Sequence, residues 1–164
     1  QFRVLELPYE SGGISMLLVL PDEGQFGVVE SRLTPEMLTE AVNSLQYGKV
    51  NLALPKFKFE SEFKLNQALI ELGMTDAFQP DWADFSGMTS NRDLFIGNVV
   101  HKAFVAVDET GTEAAAATAV IMATTAAMPD EPIEFRFDRP FIFLIRDNQT
   151  GSLLFIGRVL DADM

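Results

Sequence analysis

Gly111-Thr112-Glu113-Ala114-Ala115-Ala116-Ala117-Thr118-Ala119-Val120-Ile121-Met122-Ala123-Thr124-Thr125-Ala126-Ala127-Met128-Pro129 is the stretch that decides how this chain reads. Asp108-Glu109-Thr110 leads into it and Asp130-Glu131-Pro132 leads out. A connection this long inside a compact domain is functional or disordered, and alanine content alone would make it a linker or a helix. Its two faces argue for a strand. With period two, one face is Thr112, Ala114, Ala116, Thr118, Val120, Met122 and Thr124, without a charge. The other holds Glu113, Ala115, Ala117, Ala119, Ile121, Ala123 and Thr125, so the one charge can face solvent. Alanine is depleted in strands, however, so local propensity opposes the pattern. A segment that is a loop in one state and a strand in another has this character, because small side chains slide between existing strands without clashes. Disagreement of this kind between levels marks functional sites.

Strands flank the segment. Residues 14–20 form a nearly unbroken apolar run stopped by Pro21-Asp22-Glu23-Gly24, which predicts a strand buried on both faces. With the strand expected at 2–8 and Gly12-Gly13 between them, it makes a hairpin. Gln1 is not a start residue, so the chain is expected to begin inside a fold. Thr34 and Pro35 then predict a helix start, with Leu38, Ala41, Val42 and Leu45 on its apolar face. Val50, Leu52 and Leu54 alternate as a strand, and Phe57 and Phe59 alternate beyond Pro55. Leu65, Ala68, Leu69 and Leu72 restore helical spacing up to Gly73. Residues 76–92 read as a loop anchored by Trp82 and Phe85. Further strands are expected at 94–107, 140–146 and 152–159, the last two joined by the turn Asp147-Asn148-Gln149-Thr150-Gly151. Many strands, two or three short helices and no βαβ alternation predict an α+β class with largely antiparallel sheets.

The chain has 164 residues, 48% hydrophobic with 14 Phe, which is one domain's worth of core and excludes disorder of the whole. Twelve Lys and Arg against 24 Asp and Glu give a net charge of −12. Such a chain repels nucleic acid and an anionic membrane face, so neither is an expected partner. The absence of cysteine excludes disulfides and thiolate chemistry. His101 is the single histidine, and without a second His or a Cys it is expected to be a core residue with a hydrogen-bonded ring, not a catalyst or metal ligand. Ser86 lacks the glycine two residues before it that a nucleophile elbow needs, and reads as a turn residue. The pairs Asp22-Glu23 and Asp130-Glu131 sit beside prolines and read as solvated turns. No glycine-rich phosphate loop occurs, so no cofactor and no metal are implied.

Three blocks resemble the serpin family. Asn98-Val99-Val100-His101-Lys102-Ala103 through Asp108-Glu109-Thr110 and Gly111 to Ala117 looks like the last strand of the family's main sheet running into its proximal hinge. Phe135-Arg136-Phe137-Asp138-Arg139-Pro140-Phe141-Ile142-Phe143 looks like its C-terminal signature. Leu54-Pro55-Lys56-Phe57 through Leu69, Gly73 and Met74, with Asp84-Phe85-Ser86-Gly87-Met88, fits the stretch between. The resemblance covers essentially the whole chain and implies the serpin fold. It makes residues 1–164 the C-terminal portion of a single serpin domain, with a reactive loop at about 111–132. The N-terminal portion, a necessary partner, would precede Gln1, and the 164 residues would not fold alone.

The resemblance further implies a suicide-substrate inhibitor of serine proteases, not an enzyme. The target cleaves the loop and forms its acyl-enzyme; the freed loop then inserts as a new strand of the main sheet and distorts the captured site. Serpin loop insertion is a known instance of strand addition and of released strain. As a strand, 112–125 would span roughly 45 Å at about 3.3 Å per residue. About ten new ladder hydrogen bonds, at about 1 kcal/mol each, would make the step irreversible. Glu109, Gly111 as pivot, Thr112, Glu113, and Ala114, Ala115, Ala116 and Ala117 match the inhibitory hinge. Counting along the hinge puts the reactive bond at Thr125–Ala126, with Thr124, Ala127 and Met128 as alternatives; Pro129 disfavours Met128–Pro129. No Arg or Lys occurs from 111 to 131, so the target is elastase-like, subtilisin-like or, through Met122 and Met128, chymotrypsin-like. His101 matches the family's histidine beneath the opening strands, which implies a conformational role. Loop-sheet polymers are a further, aberrant partner. Extracellular action is an expectation at family level. The rival readings are a non-inhibitory serpin acting as carrier or chaperone, and a passive β-rich module with an Ala/Thr spacer.

Overall fold

The computed structural model describes residues 2–10, 12–108, 118–122 and 131–162. They form two compact units, Gln1–Phe57 with Val107–Met164, and Lys58–Ala106.

In the first unit, the apolar run becomes β2 (Ile14–Pro21), with every residue after Ile14 buried. It pairs antiparallel with β1 (Phe2–Pro8), Val4 opposite Val19, and with β8 (Phe141–Asp147), Leu17 opposite Leu144. Side-chain alternation then sorts the core onto two faces. Val4, Leu17, Val19, Ile142 and Leu144 share one face and bury Val29 of α1 (Phe26–Arg32) and Ala41 of α2 (Pro35–Asn43) against them. Leu5, Leu18, Phe141 and Phe143 point the other way, where the ring of Phe57 lies 5.8 Å from Phe141 and 5.1 Å from Phe143. Phe137 stands edge-on to Phe141 at 5.0 Å. Two covered faces are why β2 has no polar side except Ser15.

The helix at Thr34 forms as its residues predict, with the Thr34 hydroxyl accepting from the Met37 N–H at 3.2 Å and Pro35 in first position. It stops earlier than expected. The Ser44 hydroxyl donates back to the carbonyls of Glu40 and Ala41, and Leu45 opens β3 (Leu45–Ala53) instead of closing the helix. α1 is an addition; Phe26, Val29 and Leu33 give it only one apolar stripe. A further addition is β7 (Ile133–Arg136), set between Pro132 and Pro140. The seven-stranded sheet has the order β7-β3-β6-β1-β2-β8-β9, where β6 is Thr118–Met122 and β9 is Leu153–Val159. Its pairings among the described residues are antiparallel except β3 with β7.

The second unit carries the two-stranded sheet of β4 (Phe57–Lys64) and β5 (Val100–Val107). α3 (Asn66–Glu71) ends at Gly73, whose φ of 101° lets the Met74 N–H reach the Leu69 carbonyl at 2.9 Å. The strand expected at 94–107 begins only at Val100. Residues before it are held elsewhere: Asn66 accepts from the Val99 N–H and donates to the Gly97 carbonyl, each at 2.8 Å, and Ile96 donates to Ala77. Trp82 is 70% exposed, so it is not the packing anchor expected of it; Ala83 takes the buried place in that loop. The Trp82 and Ala83 N–H groups both bond the Gln79 carbonyl, and this tight turn points adjacent side chains apart.

Gly157 tests the aromatic face. It lies opposite Phe143, and a Cβ there would run into the Phe143 ring. In the full-length protein, Gly157→Ala should lower stability by about 1–3 kcal/mol in urea unfolding. Adding Phe143→Leu should recover part of the loss, giving a non-additive pair.

Candidate functional site: the segment 109–130 and its flanking strands

In sequence, the segment 109–130 lies between β5 and β7. Its C-terminal anchor is built from several elements. β7 runs parallel to β3, with Ile133 opposite Val50 and Arg136 opposite Ala53. The Phe137 N–H continues the ladder to the Ala53 carbonyl at 2.9 Å. Arg3 of β1 donates to the Glu134 carbonyl at 3.1 Å and sets its guanidinium 4.6 Å from the centre of the Phe135 ring. Asn51 donates to the Glu134 carboxylate at 2.7 Å. Phe135 and Phe137 are both buried and stack at 6.2 Å. A pull on residue 131 therefore meets a backbone ladder, a cation on a ring and two buried aromatics.

Inside the segment, Thr118–Met122 form β6, a strand, in keeping with the period-two pattern. β6 pairs antiparallel with β3, Tyr47 opposite Val120, and with β1, Leu5 opposite Ile121. Its neighbours are thus β3 and β1, whereas β5 pairs with β4. The hinge residues Glu109, Gly111, Thr112, Glu113, Ala114, Ala115, Ala116 and Ala117 lie outside the described residues, as do Thr124, Thr125, Ala126, Ala127 and Met128.

His101 is placed, and it corrects an expectation. It lies on β5 and shares by alternation the face of Ala103, Val105 and Val107, which are half-buried. The residue itself is exposed, not a core histidine. A two-stranded sheet supplies too little cover, and Phe63 and Phe104 nearby in the same sheet are also more than half exposed. Among the described residues no group of His, Cys, Asp and Glu is arranged to hold a metal ion. No helix among them is long and apolar enough to cross a membrane.

Ser86 is exposed in a turn, as its context predicts. Its N–H donates to Asp84 Oδ1 at 3.1 Å. Hydrogen bonds from the Ser86 side chain and backbone hold the Asp84 carboxyl below its ordinary range, with Arg92 in an ion pair beside it. This pattern is an Asx turn, not a nucleophile with its base.

The serpin family model, described as serine protease inhibitor, matches residues 1–162. The chain belongs to the serpin family. Among its relatives, an uncharacterised serpin-like protein of Thermococcus kodakarensis is 46% identical over 97% of this chain and 37% of its own length. The leukocyte elastase inhibitor of Homo sapiens is 47% identical over 95% of this chain and 42% of its own length. The crystal structure of human glycosylated kallistatin superposes with a TM-score of 0.74 at 37% identity, covering 98% of this chain and 41% of that one. The chain thus spans about two-fifths of the length of these serpins. The fold expectation stands: a part of the serpin fold, α+β, with largely antiparallel sheets and short helices.

The depressed Asp84 gives a pH test with a definite sign. The folded form binds its proton less readily than the unfolded form, so the Ser86 contacts stabilise above the unfolded value of about 3.9. They are lost as pH falls through the lower folded value. A carboxyl-carbon NMR titration should place the Asp84 midpoint below that of a free aspartate. The stability difference between the full-length protein and its Asp84→Asn variant should shrink as pH drops below about 4.

Proposed function

We propose that this chain is the C-terminal portion of an inhibitory serpin, with its reactive loop at about 111–132 and its reactive bond at Thr125–Ala126. The observation that carries the reading is the hinge composition within a family match over residues 1–162. From Gly111 to Ala117 the inward face holds only Thr112, Ala114 and Ala116, and the one charge, Glu113, alternates outward. Insertion into a sheet is stopped by a bulky or charged inward side chain, because it would be buried without a partner. None stands in the way here.

In this mechanism the target protease supplies all the chemistry. Its serine attacks the Thr125 carbonyl, the Ala126 amine leaves, and Thr125 stays bound as an ester. Residues 112–125 then add to the main sheet beside β5 and carry the ester-linked protease with them. Release needs β6 to give up its pairings with β3 and β1, of which the register with β1 covers Leu5 and Glu6 among the described residues. The anchor at β7, Phe135 and Phe137 stays fixed while the loop's other end travels, so the two halves of the cut loop separate. His101, on β5 next to the insertion track, acts in conformational control once the rest of the domain covers that sheet.

The target is a serine protease that accepts small residues before the bond, elastase-like or subtilisin-like, and Met122 and Met128 keep a chymotrypsin-like enzyme open as the alternative. The name of the human leukocyte elastase inhibitor, at 47% identity, favours the first of these.

Mixing the full-length protein with an elastase-like and a subtilisin-like protease should give a covalent band at the summed mass on denaturing gels. Mass spectrometry should find a released peptide starting at Ala126. Thr112→Arg should leave cleavage intact and abolish the covalent band, since the loop is cut and cannot start to insert. Cleavage without a complex across a wide protease panel would favour a non-inhibitory carrier or chaperone. A loop that confers no gain in heat resistance on nicking would favour a passive spacer.

A further inference from the structure

The turn between β8 and β9 carries Asn148-Gln149-Thr150, an asparagine with threonine two residues on. This triplet is the acceptor pattern for transfer of a sugar to the asparagine amide. Gln149 and Thr150 are exposed at the tip of the hairpin, while Asn148 is half-buried. We infer that Asn148 is an N-glycan acceptor open only in the unfolded chain, and that closure of the β8–β9 turn removes it. The inference is independent of the inhibitory reading.

The geometry engages each group that the transfer needs. The Asn148 amide nitrogen donates to the Gly12 carbonyl at 3.1 Å, and its oxygen lies 2.8 Å from the donor hydroxyl of Ser15. Ser15 is fully buried, and its hydroxyl also meets Glu6 Oε1 at 2.6 Å, with Arg146 paired to that carboxylate at 3.3 Å. The Asn148 backbone N–H donates to the Gly13 carbonyl at 2.8 Å. The amide thus ties the β8–β9 turn to the β1–β2 turn, and swinging it toward an enzyme breaks contacts in both. Thr150 is held as firmly. Its N–H and hydroxyl donate to Asp147 Oδ1 at 2.7 and 2.8 Å, and the Ser152 N–H donates to its hydroxyl at 3.2 Å. Gly151 completes the turn at φ 73°. These bonds hold the Asp147 carboxyl below its ordinary range, Thr150 contributing most.

The donor class is a lipid-linked oligosaccharide pyrophosphate. In the transfer, a bond forms between Asn148 Nδ2 and the anomeric carbon of the sugar. The bond from that carbon to the pyrophosphate oxygen breaks, and the lipid pyrophosphate leaves with the electron pair. One amide proton passes to a base. An extended triplet can meet these demands; the closed turn cannot without opening first.

The test uses the full-length protein, a purified oligosaccharyltransferase and a lipid-linked oligosaccharide donor. One sample is native, and the other is urea-unfolded chain diluted directly into the reaction. Peptide mass spectrometry should find the sugar on Asn148 of the unfolded chain at about tenfold or more the level on the native protein. Thr150→Ala should abolish it in both samples. Gly151→Ala, which strains the turn without touching the triplet, should be modified whether it folds loosely or not at all. Equal modification of native and unfolded samples would overturn the closure, and no sugar on the unfolded chain would overturn the acceptor.

Discussion

Strand β2 sets the terms for everything around it. Seven of its eight residues are buried, so it needs a strand on each edge and a layer on each face. β1 and β8 satisfy the edges, and their registers place Val4, Val19 and Ile142 in one row across three strands. A slip by one residue would turn every such row to the wrong face. The helices α1 and α2 cover one side and the phenylalanine cluster covers the other. Both layers follow from one nearly unbroken apolar run, residues 14–20.

The aromatic layer ties that core to the functional segment. Phe135 and Phe137 come directly after the loop in sequence and are buried, Phe137 against Phe141 of the central sheet. Removal of such a ring leaves a cavity costing about 3–5 kcal/mol, so the chain just after residue 131 is held by the buried core of the first unit. The segment's N-terminal end follows β5, in a sheet of two strands with exposed phenylalanines on it.

Much of the architecture was legible because its signals are local. The run at 14–20, the Thr34 cap with Pro35, and the stop at Gly73 each depend on a few adjacent residues, and each is where it was expected. The family blocks were legible for the same reason, and the family match covers nearly the whole chain. What was not legible depends on partners distant in sequence. β7 is a strand because β3, over eighty positions earlier in the chain, offers it a ladder; the four residues alone carry no clear period. Residues 94–99 begin with the apolar run Leu94-Phe95-Ile96 expected to open a strand, yet Asn66 and Ala77 take backbone groups there.

His101 and Trp82 show the same division at single residues. Side-chain chemistry made both candidates for burial, but exposure is a property of what else packs there, and both are exposed among these residues. The sequence by itself determined the α+β class, the serpin family, the strand-like segment and its charge-free face, since periodicity and short motifs are written residue by residue. Only the tertiary structure decided that Thr118–Met122 lie between β1 and β3, that the Phe137 N–H bonds back to the Ala53 carbonyl, and that Asn148 joins two turns. Each of these joins residues tens of positions apart or more, and the free energy of such contacts comes from packing and ladder bonds that no local window contains.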